Sequence, residues 1–144
     1  MKVSECMSRD IRICSPDHTL QSAAQVMADA DAGFLPVGEA DRLVGTVTDR
    51  DIAIRGVARG LAPDSPLSDV MSKQLLYCFE DEETDQALAS MSENQVRRMP
   101  VVNRDKRLVG IISLADMARE GQGAPAGAAL GDIARPRGAK ATRS

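Results

Sequence analysis

The chain repeats itself. Met7-Ser8 recurs as Met71-Ser72, Cys14 as Cys78, Met27 as Met91 and Pro36-Val37 as Pro100-Val101, each at an offset of 64 residues. After one inserted residue the offset becomes 65: Arg42-Leu43-Val44-Gly45 matches Arg107-Leu108-Val109-Gly110, Thr48 matches Ser113 and Asp51 matches Asp116. A repeat of this length decides the architecture, because both copies must form the same supersecondary unit. The pattern gives a first repeat at 1–62, a second at 63–120 and a tail at 121–144.

Each copy alternates between strand and helix signals. Arg12-Ile13-Cys14 predicts a short strand, and Ser15-Pro16-Asp17 an N-cap followed by Pro at the first helical position, a start to which His18 also contributes. Leu20, Ala23, Ala24 and Met27 then fall on one helical face, which should end near Ala32-Gly33. Phe34 to Val37 and Leu43 to Val47 predict two strands, and Asp49 to Arg59 a second helix. The second copy repeats the order with a strand at 75–79, a helix at 83–93, strands at 99–102 and 108–112, and a helix at 113–119. The expected fold is therefore α/β (α+β), two β-α-β-β-α repeats packed as a pseudo-twofold pair, since a unit of about 60 residues is marginal alone.

Composition narrows the function classes. Aromatic residues make up 2% of the chain, with no Trp, so a base-stacking nucleic-acid binder is disfavoured. Residues 1–120 carry 14 Lys and Arg against 20 Asp and Glu, whereas residues 121–144 carry 4 against 1. An acidic body with no basic stripe argues against duplex DNA as a partner. No apolar run approaches the roughly 20 residues that cross a bilayer, and no signal pattern opens the chain, so no membrane partner and a cytoplasmic location are expected. The three cysteines lack metal or redox spacing and the single histidine lacks a triad, so neither a metal site nor catalytic residues are expected.

The chemistry-bearing motif is repeated too. Gly45-Thr46-Val47-Thr48-Asp49-Arg50-Asp51 and Gly110-Ile111-Ile112-Ser113-Leu114-Ala115-Asp116 both set a hydroxyl residue where a strand turns into a helix. Free N–H groups there suit a phosphate, and a carboxylate one turn on can accept hydrogen bonds from two ribose hydroxyls. The same spacing is also a capping box, which stabilises a helix start by about 0.5–2 kcal/mol with no ligand. The sequence leaves both readings open.

These paired Met-Ser openings, the Leu35-Pro36-Val37 and Met99-Pro100-Val101 strands and the two Gly-x-x-Thr/Ser-x-x-Asp turns resemble a tandem pair of CBS domains (a Bateman module), over residues 1–120. The runs Thr48 to Gly56 and Gln95 to Val101 resemble small stand-alone bacterial members. The resemblance implies a regulatory module without catalysis that binds adenosine-containing ligands such as AMP, ADP, ATP, NAD or S-adenosylmethionine, with no required cofactor. It implies that Thr48 and Ser113 contact phosphate or ribose, that Asp51 and Asp116 hold the ribose, and that Phe34, Leu35 and Pro36 and Arg98, Met99 and Pro100 line the base pockets. It also implies a homodimer through helical faces containing Ala23, Met27, Leu88 and Met91, and an unnamed client protein. The alternative is a ligand-independent dimeric scaffold.

The two turns differ. Arg50 makes the first the expected better phosphate clamp, with Arg97 and Arg98 able to compensate at the second. Cys14 and Cys78, equivalent in the two copies, are expected in symmetric packing. The Gly-, Ala- and Pro-rich basic tail is expected to be flexible and dispensable for folding and ligand binding, apart from one turn that Leu130 and Ile133 could form.

Overall fold

The computed structural model describes residues 1–121 and 123–134. Six α-helical segments and five strands are described: α1 (Val3–Cys6), α2 (Leu20–Ala30), β1 (Phe34–Glu39), β2 (Arg42–Thr48), α3 (Asp49–Asp51), β3 (Cys78–Phe79), α4 (Thr84–Asn94), β4 (Arg98–Val102), β5 (Leu108–Ser113), α5 (Leu114–Arg119) and α6 (Gly123–Ile133). The fold is a mixed α+β one, with small sheets. It differs from the expected elements at four places. Cys14 makes only a single parallel bridge to Val37, in place of a strand at 12–14, and the strand at 75–79 shrinks to Cys78–Phe79. The first long helix starts at Leu20, not at Pro16, because Thr19 is the cap: its hydroxyl accepts from the Ser22 N–H at 3.0 Å. His18 instead holds the turn before it, its Nδ1 accepting from the Ser15 N–H at 3.0 Å. The helix predicted over 49–59 begins as α3, widens into a π-helical stretch at Ile52–Gly56 and tightens into a 3₁₀ turn at Val57–Arg59.

Two compact units form, and they are not the sequence repeats 1–62 and 63–120. One comprises 11–76 with 106–108, the other 1–10, 77–105 and the described residues from 109 onward. The cause is an exchange of the Met-Ser segments. Ser8 bridges Ile111 of the later repeat, donating to its carbonyl at 2.8 Å and accepting from its N–H at 3.0 Å. Ser72 bridges Thr46 of the earlier repeat in the same way, at 2.8 and 3.0 Å. Glycine is needed beside each bridge: a Cβ on Gly45 would stand 2.5 Å from the Ser72 carbonyl oxygen, and one on Gly110 would stand 2.7 Å from that of Ser8. The Gly that opens each motif is thus explained by backbone docking.

In the unit of 11–76, antiparallel β1 and β2 set Phe34 opposite Thr48 and Leu35 opposite Val47. Cys14, Leu20, Ala23, Met27, Leu35, Val37 and Val47 pack with Leu67, Val70 and Met71 of the segment that follows. In the other unit β4 lies between β3 and β5. Its buried set includes Val3, Cys78, Leu88, Met91, Met99, Ile112 and Met117. The four residues expected at a dimer face, Ala23, Met27, Leu88 and Met91, are at most 7% exposed. The helical faces that carry them are consumed by the chain's own cores, which corrects that expectation.

The tail expectation also changes. Residues 123–133 are helical, and α6 packs on α4 and α5 with Ala126 and Ala129 buried. All four tail cations lie outside the described residues.

Burial raises the Cys14 thiol above its ordinary range and pushes Cys78 up to about 12. The thiolate is the reactive form, so neither should react with iodoacetamide at pH 8 until the chain unfolds. Because folding holds Cys78 protonated where the unfolded thiol has ionised, its contribution to stability is intact below about pH 9 and is lost as pH climbs towards 12. Mass spectrometry of the alkylated peptides checks the first point; rapid labelling of Cys78 in folded protein would contradict it.

Candidate functional site

Both predicted turns form, and both close as capping boxes. Thr48 Oγ1 accepts from the Asp51 N–H at 3.0 Å, and the Thr48 N–H donates to Asp51 Oδ2 at 3.0 Å. Ser113 Oγ accepts from the Asp116 N–H at 3.0 Å, and the Ser113 N–H donates to Asp116 Oδ2 at 3.1 Å. In each box Oδ2 is committed and Oδ1 faces an arginine: Arg55 Nε lies 3.9 Å from Asp51 Oδ1, and Arg119 pairs with Asp116 Oδ1. These arginines are about half exposed or more, so the ion pairs are weak and Oδ1 can exchange a guanidinium for another donor at little cost. Each hydroxyl accepts from an N–H and keeps its own proton to donate.

A backbone hydrogen bond fixes the entry strand against each turn. The Asp49 N–H donates to the Gly33 carbonyl at 2.9 Å, and the Leu114 N–H donates to the Arg97 carbonyl at 3.1 Å. The repeat makes these equivalent, and the side chains they bring to the mouth are opposite in charge. At the earlier turn the Asp49 carboxylate fills the space over Gly33, where a Cβ would stand 2.6 Å from it, and Oδ1 accepts from the Arg50 N–H at 2.8 Å. At the later turn two arginines stand beside the uncharged Leu114 and Ala115.

The later turn opens into a cavity of about 380 Å³. Arg97, Arg98 and Ser113 line it, with Leu114, Ala115 and Ala118 of α5 on one side and Gly123, Ala126, Gly127 and Leu130 of α6 on another. The structure therefore brings Arg98 and Ser113 of the expected set together. Leu35, Pro36, Met99 and Pro100 are buried and hold the strands that carry the half-buried Phe34 and the exposed Arg98. Thr48 and Asp51 are partly buried at the earlier turn, where Arg50 is exposed. The α6 wall was missed by sequence reasoning. The Arg97 position was visible in the 64-residue offset, which aligns it with Gly33.

No helix among the described residues is long and apolar enough to cross a membrane, and no group of three or more His, Cys, Asp or Glu there could hold a metal ion.

The chain matches the CBS domain model twice, at residues 3–56 and 67–123. It is 37% identical over 132 residues to the CBS domain-containing protein YhcV of Bacillus subtilis, covering 91% of this chain and 94% of that one. It is 43% identical over 109 residues to hypoxic response protein 1 of Mycobacterium tuberculosis, covering 74% of this chain and 76% of that one. A crystal structure of Hypoxic Response Protein I with two coordinated zinc ions superposes with a TM-score of 0.75 at 38% identity, over 83% of this chain and 98% of that chain. The CBS domain pair of protein MJ0100, in complex with 5'-methylthioadenosine and S-adenosyl-L-methionine, superposes with a TM-score of 0.76 at 25% identity, over 86% and 98%. With two matched copies in one chain and these neighbours, the chain belongs to the CBS-domain family as a tandem pair.

Proposed function

We propose that the chain is a regulatory module, without catalysis of its own, that binds an adenosine-containing ligand such as AMP, ADP, ATP, NAD or S-adenosylmethionine. The carrying observation is the cavity at the later turn, lined by Arg97, Arg98 and Ser113, the last of these being the residue whose capping box holds Asp116. Two guanidiniums and a hydroxyl suit a phosphate group, and Asp116 Oδ1 suits the two ribose hydroxyls once Arg119 turns away. The adenosyl ligands named for MJ0100 support the same class. Thr48, Asp51 and Phe34 form the corresponding earlier site, where the Asp49 carboxylate favours ligands with little or no negative charge. The later turn is thus the better phosphate site, the reverse of what Arg50 alone suggests.

Calorimetric titration with AMP, ATP, NAD and S-adenosylmethionine tests the proposal. Asp116→Ala should weaken nucleotide binding at the later site at least tenfold, because it removes a charged acceptor. It should also cost about 0.5–2 kcal/mol of stability through the lost cap. Unchanged binding beside that stability loss would leave the turns as caps and favour the ligand-independent scaffold. The homodimer stays part of the proposal on other residues: Ile54 and Val57 are 50% and 70% exposed in the π and 3₁₀ turns. Light scattering should give about twice 15.4 kDa.

A further inference from the structure

The cavity at the later turn has a wall that neither CBS repeat supplies. Helix α6 begins where the second matched stretch ends, at residue 123, yet four of its residues line the space. It is held by contacts of its own: Ala126 and Ala129 are buried, α6 packs on α4 and α5, and Gln95 Nε2 donates to the Asp132 carbonyl at 3.1 Å. With α6 in place the cavity still measures about 380 Å³, within the usual range for small-molecule sites of roughly 300–1,000 Å³. The helix bounds the space and does not fill it. The two sides also differ in chemistry. Arg97, Arg98 and Ser113 are cationic and hydrogen-bonding, whereas α6 presents only methyl groups, bare backbone and the 42% exposed Leu130.

We propose that α6 is a ligand-binding element of this pocket: it supplies the apolar wall against which the base of an adenosine ligand packs, so that ligand occupancy and α6 docking stabilise each other. The inference rests on the reading of the pocket as an adenosine site. A ligand that touches both walls binds the docked state in preference to the undocked one, and the coupling is reciprocal. Ligand concentration is then reported on the outer surface of the chain as the firmness with which α6 is held.

Two measurements on the full chain test this, with AMP as the probe. A Cβ on Gly127 meets nothing within 4 Å, so the side chain of Gly127→Trp starts from open space beside the cavity. It should weaken AMP binding at the Asp116-dependent site at least tenfold while the melting temperature stays close to that of the wild type. In the wild type, AMP should slow amide hydrogen exchange over 123–133 several-fold, and Asp116→Ala should abolish that protection. Wild-type AMP affinity in Gly127→Trp, together with exchange in 123–133 that AMP leaves unchanged, would overturn the role of α6 while sparing the pocket. Absence of any Asp116-dependent AMP binding in the wild type would overturn both.

Discussion

Gly110→Val is expected to lower the unfolding free energy by roughly 2–5 kcal/mol, because Gly110 is buried against the Met7-Ser8 segment. The added Cβ would stand 2.7 Å from the Ser8 carbonyl oxygen and 2.8 Å from the Met7 sulfur. The Ser8 backbone cannot yield without breaking its two hydrogen bonds to Ile111, each worth about 0.5–1.5 kcal/mol. Gly45→Val should act alike through the Ser72 carbonyl, at 2.5 Å. In a domain of this size each kcal/mol moves the melting temperature by about 2–4 °C, so thermal melts read the effect directly. Gly131→Ala is the counterpart. A Cβ there meets nothing within 4 Å, and in a helix Ala is favoured over Gly by about 0.5–1 kcal/mol, so this variant should gain stability. A loss below about 1 kcal/mol for Gly110→Val would mean that the Met-Ser segment is not held against β5.

That contrast shows where the sequence was legible and where it was not. The repeat located α4, β4, β5 and α5 to within a residue or two, because periodicity and cap chemistry are local. Helix α2 was displaced by four residues because Ser15-Pro16-Asp17 and Thr19 both satisfy cap rules, and only packing of Leu20 and Ala23 chooses between them. The exchange of Met7-Ser8 and Met71-Ser72 between repeats was invisible: identical motifs make either partner equally acceptable, and only the connecting backbone decides. The site was half legible. The hydroxyl and carboxylate of each turn were marked by the repeat, but the charge at each mouth is not repeated. Gly33 and Asp49 stand where Arg97 and Leu114 stand, and their meaning emerges only once the Asp49–Gly33 and Leu114–Arg97 backbone bonds put them side by side.

Ending the chain at Gly121 is expected to destabilise it by about 1–3 kcal/mol and to weaken AMP binding at the later turn, against the sequence expectation that the tail is dispensable. Helix α6 gives the physical reason. An apolar period does run through the tail, but it is written in the smallest side chains. Ala126 and Ala129 are buried and Ile133 half-buried, at i, i+3 and i+7 on one helical face, while Leu130 lines the cavity. Each buried methyl contributes only about 0.8 kcal/mol, and the apolar surface on α4 and α5 that α6 covers adds to it. Ordering eleven residues costs conformational entropy, which offsets most of that gain and keeps the net effect modest. Pro125, in the first turn, lacks an N–H where the helix has no intrahelical use for one. Urea denaturation of the shortened chain should therefore show a lower midpoint with a slightly smaller slope, since less surface is exposed on unfolding. An unchanged midpoint would show that α6 rests on the unit without stabilising it, and calorimetry with AMP on the same protein would then tell whether the helix serves the pocket alone.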